Sequence, residues 1–258
     1  MNGSQNLVAV VTGARGGIGA QVVARLRTAG HRVAAVGRDA TSLAEVAADS
    51  HLAFDVTTPE GAAAAIDACR SRLGAEPALL AHCVGSTLIA PLHRTSVAQY
   101  RELMRVNLDS AVYVMKAWVE TMRSAGRTGG TGGAGTRGAA VLVSSVVARI
   151  GVANHEAIAA AKGGVEALAR SAAATYAPFD LRVNAVAPGM TETPMTVGML
   201  RLDAMREGAG KQYPLGGVQT AAQVADTIAW LLSDGAARIT GQVIAVDGGF
   251  TTVRPLVK

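Results

Sequence analysis

The chain has 258 residues, half of them hydrophobic, 3% aromatic and 17% charged, which suits one globular α/β domain and argues against a disordered or fibrous chain. A formal charge of +5 would point to a polyanionic partner if Lys and Arg gathered in a stripe, but they are scattered singly, so no nucleic-acid partner is expected. No basic leader and no apolar run of about 18 residues occurs, and Cys69 and Cys83 make neither a disulfide framework nor a metal-ligand spacing; the expectation is a cytoplasmic protein with no membrane association and no metal.

In chain order, short apolar runs alternate with longer helical patterns. "LVAVVTG" is followed by a helix over Gln21 to Ala29, "RVAAVG" by Thr41 to Ala48, and "ALLAHCV" by Val97 to Arg123. "AAVLVSS" is followed by Glu156 to Tyr176 and "LRVNAVA" by Ala221 to Leu232, before a last strand in "GQVIAVDGG". Continuously apolar strands separated by helices predict a parallel sheet covered on both faces. Right-handed crossovers then give a doubly wound fold that binds ligands beyond the carboxyl ends of its strands. The glycine-rich stretch at 125–139, "AGRTGGTGGAGTRGA", reads as a surface loop within a single domain, because the same alternation resumes after it.

The first strand runs through "TGARGGIG", Thr12 to Gly19, into a helix expected to begin near Ile18. Gly13, Gly17 and Gly19 allow a tight turn, close approach of backbone to a pyrophosphate, and a helix N-terminus whose free N–H groups meet the anion. The pattern follows a strand and opens a helix, which is the context a dinucleotide site requires. At the end of the second strand, an acid would receive a ribose 2′-hydroxyl and an arginine a 2′-phosphate. Gly37 stands where the acid is expected and Arg38 beside it, which favours NADP, with Arg15 as a second phosphate partner. Asp39 keeps NAD open.

Within "HEAIAAAKGG", residues 155 to 164, Lys162 stands above a floor of alanines. It is either a solvated charge or a group held for a task. The glycine loop, "HCVGS" after the fourth strand, "SS" closing the fifth, Lys162, "VNAVAPGMTETPM" and "ITGQVIAVDGGF" together resemble the short-chain dehydrogenase/reductase family along nearly the whole chain. The resemblance implies a seven-stranded Rossmann-type sheet, NAD or NADP, a small-molecule carbonyl or alcohol substrate, and assembly as a homodimer or homotetramer. It assigns Ser145 to the substrate oxygen, Lys162 to the nicotinamide ribose, and Asn107 to a water relay. Asp55 and Val56 in "FDV" match the adenine end, Gly85 the turn after the fourth strand, and Pro188, Gly189 and Thr193 the segment that cradles the nicotinamide amide.

One family residue is missing. A tyrosine is expected four positions before the lysine, where this chain has Ile158, and the nearest tyrosine along that helix is Tyr176. The family's "NNAG" also reads His82, Cys83, Val84, Gly85 here. His155, seven positions before Lys162, is on roughly the same helical face and is the best substitute for the lost acid, although seven residues of helix rise about 10 Å. His82 and Cys83, at the strand end facing the cofactor crevice, are weaker candidates for catalysis and fit packing as well. The segment 190–210 carries four of the eight methionines, which would form an adaptable lid over an apolar substrate or simply pack on the sheet. Three functions stay open: an NADP(H)-dependent oxidoreductase with another proton source, a nucleotide-binding regulatory homologue, and a non-redox cyclase, isomerase or lyase.

Overall fold

The structure, a computed structural model, describes residues 6–124 and 138–254. Seven parallel strands form one sheet in the order β3-β2-β1-β4-β5-β6-β9. The continuous apolar runs become β1 (Val8–Thr12), β2 (Arg32–Gly37), β4 (Leu79–His82), β5 (Gly138–Val143) and β6 (Leu181–Pro188), with β9 (Val243–Val246) at one edge. Every residue of β1 is buried, as expected of a strand covered on both faces. On one face α1 (Gly17–Thr28) and α8 (Ala221–Leu232) contribute Val22, Leu26, Ile228 and Leu231 to a core; on the other, α3 (Pro59–Leu73), α5 (Ser110–Ser124) and α6 (Glu156–Tyr176) contribute Ile66, Trp118 and Val165. The strand order reverses between β1 and β4, which makes the crevice beyond their carboxyl ends the place for a ligand.

The element pattern departs from expectation in three places. The helix expected over 41–48 is only α2 (Ala40–Leu43), because Asp49 must come back to β2: its backbone N–H donates to the Val33 carbonyl, and its carboxylate accepts from the Val33 N–H at 2.8 Å. The long helix expected over 97–123 is α4 (Val97–Met104) and α5 joined by a π-helical turn, Arg105–Asp109. The third difference is an addition, β3 (Ser50–Ala53) and α3 after it. β3 alternates buried and exposed residues over four positions, so this short edge strand carries no apolar run. α3 does carry its boundary signals, a Thr58 cap, Pro59 in the first turn, and Gly74 in the left-handed region at φ 70.

A small pair, β7 (Thr191–Glu192) and β8 (Gln219–Thr220), brackets α7 (Asp203–Gly210) beside the sheet. Of the loop expected at 125–139, residues 125–137 lie outside the described residues, and Gly138 and Ala139 begin β5. Among the described residues no helix is long and apolar enough to cross a membrane.

Candidate active site

The chain leaves β1 through Gly13 at φ +69. A Cβ there would lie 2.8 Å from the Cys83 carbonyl carbon and oxygen, one on Gly19 would lie 2.3 Å from the Gly13 oxygen, and one on Gly17 would lie 2.9 Å from Thr193 Cγ2. The loop, the exit of β4 and the 190s segment therefore touch backbone to backbone or nearly so, which glycine alone permits. α1 begins at Gly17 with no side-chain cap and no acid in its first turn. Its first N–H groups are thus left for an anion, so these residues fit the diphosphate of a dinucleotide.

Arg15 and Arg38 are both exposed, and neither makes a hydrogen bond or close ion pair among the described residues. Asp39, by contrast, accepts from the N–H groups of Thr41 and Ser42 at 3.1 Å and caps α2; hydrogen bonding from Ser42 comes first among the causes that hold its carboxyl low. Asp55, expected at the adenine end, accepts from the Thr57 hydroxyl at 2.6 Å and N–H at 3.0 Å, and the Thr57 hydroxyl is the main reason that its pKa is lowered. The Val56 side chain is in the core, which leaves its backbone for any ligand.

The other half of the site is built from β5 and α6. The inward stripe of α6 runs Ala157, Ile158, Ala161, Lys162, Val165, Glu166, Ala169, a helical period that puts two charges on the buried face. Lys162 Nζ donates to the Val143 carbonyl at 2.8 Å. Burial pushes its pKa down to about 8. The Ser144 hydroxyl is in hydrogen-bond range of the Lys162 carbonyl, 3.2 Å, and the Glu166 carboxylate, 3.1 Å, so the end of β5 is tied to α6. Ser145, on the opposite side of the extended chain, caps the short turn Val146–Ala148 and lines the cavity. Asn107 sits in the π-helical turn, fully buried. Its amide donates to Ser86 Oγ at 3.1 Å and the Leu103 carbonyl at 3.0 Å, and its oxygen accepts from the Ser86 N–H at 3.2 Å. The side chain thus braces the Gly85–Ser86 turn, and π-turns commonly mark such sites.

One cavity, of about 430 Å³, is lined by Gly17, Ile18, Gly19, Gly85, Asn107, Ser145, Lys162, Pro188, Gly189 and Thr193 together. Most of the residues expected at the reacting centre are thereby brought together. Ile158 lines it too, packed with Leu103, Ala157, Leu88 and Val147. His155 also lines the cavity, at the N-cap of α6 and seven residues before Lys162. Its Nδ1 is 2.7 Å from the Ala153 carbonyl, which makes Nδ1 the protonated nitrogen and leaves Nε2 unengaged.

His82 must be corrected. It does not face the crevice: it is buried, its Nδ1 2.8 Å from the Thr12 hydroxyl and its Nε2 3.1 Å from that of Ser110. Ser110 in turn donates to the Val106 carbonyl, so His82 donates from Nε2 and accepts at Nδ1. Burial, with the Lys162 charge, pushes its pKa down to about 3, and a neutral, fully bonded imidazole is a structural tie between β1 and α5. Cys83 lines the cavity, but burial pushes its thiol up to about 12. Met190, Met195 and Met199 line the cavity, whereas Met205 on α7 is 46% exposed. Tyr213 and Phe250 line it as well. Neither carries a local signal, because both come from loops that only the fold brings to the strand ends.

The family model described as enoyl-(acyl carrier protein) reductase matches residues 13–251. A cis-4-hydroxycyclohexanecarboxylate dehydrogenase from Sinomonas cyclohexanicum is 38% identical over 95% of this chain and 97% of its own length. Among solved structures, a short-chain type dehydrogenase/reductase from Mycobacterium ulcerans is 29% identical, with a TM-score of 0.86 over 97% of this chain and 91% of that one. A gluconate 5-dehydrogenase from Burkholderia cenocepacia, solved with NADP and tartrate, is 26% identical, with a TM-score of 0.86 over 97% of each chain.

Proposed function

The chain belongs to the short-chain dehydrogenase/reductase family and is an oxidoreductase of that family, and from that premise we propose that it uses NADP(H) to interconvert a carbonyl and an alcohol, or to reduce an enone, on an apolar small molecule. The observation that carries this reading is the joint lining of one cavity by the glycine loop, Ser145, Lys162 and an apolar wall that includes Met190, Met195, Met199 and Phe250. Segment 190–210 is its lid. Exposed Val112, Trp230 and Val253 are apolar surface that a homodimer or homotetramer would cover, in a cytoplasmic protein of one domain.

A nicotinamide dinucleotide, when bound, supplies or accepts a hydride. Gly17 and Gly19 receive the diphosphate, and Arg38 and Arg15 the 2′-phosphate. Lys162 spends one N–H on Val143 and keeps two for the ribose. Ser145 donates to the substrate oxygen. In the reducing direction that oxygen must gain a proton as the carbon gains hydride, and Ile158 has none to give. The proton comes from His155, whose Nε2 first takes one from solvent so that the imidazolium donates it while Nδ1–H stays on the Ala153 carbonyl, or from water held near Asn107 and Lys162. His155→Gln should then lower turnover by about 10²-fold, as loss of a positioned acid does, with NADPH affinity unchanged; steady-state rates beside a fluorescence titration check both.

Arg38→Ala should weaken NADPH binding about tenfold, the loss of one charge-assisted contact at an exposed site, and leave NADH binding as it was. The same titration followed by a panel of ketones, quinones and enones tests the whole reading. Binding with oxidation by any acceptor supports it. Binding without turnover favours the regulatory or non-redox alternatives, for which Ile158 is the supporting observation, and no binding of either dinucleotide sinks the site.

A further inference from the structure

We propose that Tyr213 determines specificity: its phenol donates a hydrogen bond to an uncharged oxygen that the substrate carries several bonds away from the reacting carbon. The substrate class is then an apolar ketone or alcohol with a second oxygen acceptor. This deepens the reading of the cavity given above and rests on it.

The Met190 N–H donates to the Tyr213 oxygen at 2.7 Å. That contact uses the oxygen as acceptor and leaves the phenolic proton, which makes no hydrogen bond among the described residues. Burial raises the phenol's pKa, so the proton stays. The ring is fixed: a Cβ on Gly189 would come within 2.8 Å of its Cε1, and the Phe250 ring lies 5.1 Å away, centroid to centroid. Such a ring is a rigid donor with little rotamer entropy left to lose on binding.

Its place in the fold separates it from Ser145 and Lys162. Gly189 follows β6 and Phe250 follows β9, whereas Ser145 follows β5 and Lys162 is bonded to Val143 of β5. Neighbouring strands lie about 4.8 Å apart, so the phenol and Ser145 address points roughly 5–10 Å apart. The lining is mainly apolar, its polar members near Tyr213 being the neutral Thr191, Thr193, Thr196 and Gln212, and apart from Lys162 and His155 no Lys, Arg, His, Asp or Glu lines the cavity. An acceptor at the far end therefore meets a neutral donor. A wholly apolar ligand would strip that donor of water and leave it unpaired, and pockets discriminate most sharply on this ground.

The test compares two nearly isosteric ketones, 4-methoxycyclohexanone and 4-ethylcyclohexanone, on the wild-type protein and Tyr213→Phe, each saturated with NADPH. Dissociation constants are read from the change in NADPH fluorescence and, where turnover occurs, paired with kcat/KM. The preference for the methoxy ketone over the ethyl ketone should fall about fivefold in Tyr213→Phe, as loss of one neutral hydrogen bond implies. Loss of ring packing or of the Met190 contact would move both ketones together, so an unchanged ratio overturns the proposal. Saturable binding of neither ketone to wild type overturns it as well. Binding that shifts as expected without any oxidation of NADPH keeps the assignment of Tyr213 and refutes the redox reading instead.

Discussion

Lys162→Met should make the cofactor-free protein more stable at pH 7 by about 2 kcal/mol while weakening NADPH binding at least about tenfold. The ammonium is buried with a single protein acceptor, Val143, and burial pushes its pKa from 10.5 to about 8. Between those two values the unfolded chain holds a proton that the folded one has released, so stability rises with pH across that window. Below it both states are charged, and the folded state bears the whole cost of the buried charge, about 3 kcal/mol. Methionine removes that cost and forfeits one hydrogen bond, about 1 kcal/mol.

Thermal unfolding from roughly pH 7 to 10.5 reads the effect: the wild-type melting temperature should climb above pH 8, and the variant's should not follow it. A variant less stable than wild type at pH 7 would mean that the ammonium has stabilising partners beyond Val143. The affinity loss follows from two N–H donors that bound ribose hydroxyls would satisfy, charge-assisted contacts worth about 1.5–3 kcal/mol.

Ile158→Tyr should raise ketone reduction by about 10²-fold or more, the contribution of a positioned general acid. Ile158 is one helical turn before Lys162 on the same buried stripe, and it already lines the cavity. The larger side chain must fit among Leu103, Ala157, Leu88 and Val147, which should cost about 1–3 kcal/mol of stability as overpacking. Rates on a ketone that the wild type accepts, together with a melting curve, decide the matter. A folded variant with no gain would show that Ser145 and Lys162 are not disposed around a carbonyl oxygen.

The nucleotide end was the more legible half in the sequence. Gly13, Gly17 and Gly19 are needed for backbone reasons that act within a few residues, so their spacing announces the turn, and the helix after them follows from 3.6-residue periodicity. The same locality made α6 and α8 readable to the residue. β3 escaped because an edge strand buries only one side and carries no apolar run. The break between α4 and α5 escaped because one extra residue in a turn leaves hydrophobic periodicity nearly intact. At the reacting centre, Ile158 could be seen as a departure, whereas His82 could not be told from a crevice residue: its neutrality depends on Thr12 and Ser110, which are distant in the chain. Tyr213 had no signal at all. It reaches the cavity through a ring resting on Gly189, a contact that only the closed fold creates.

The two ends of the cavity differ in what they are made of. Around Gly13 and Gly19 the walls are main chain against main chain, with no side chain there to exchange. At the far end they are Met190, Met195, Met199, Tyr213 and Phe250. Mutational drift thus has unequal purchase on the pocket: the methionine end, like exposed Arg38, is open to retuning in small, separable steps, while a side chain at Gly13 or Gly19 displaces backbone and is felt as a loss of the whole pocket. A protein built this way can change what it transforms many times over while the turn that receives the diphosphate stays as it is.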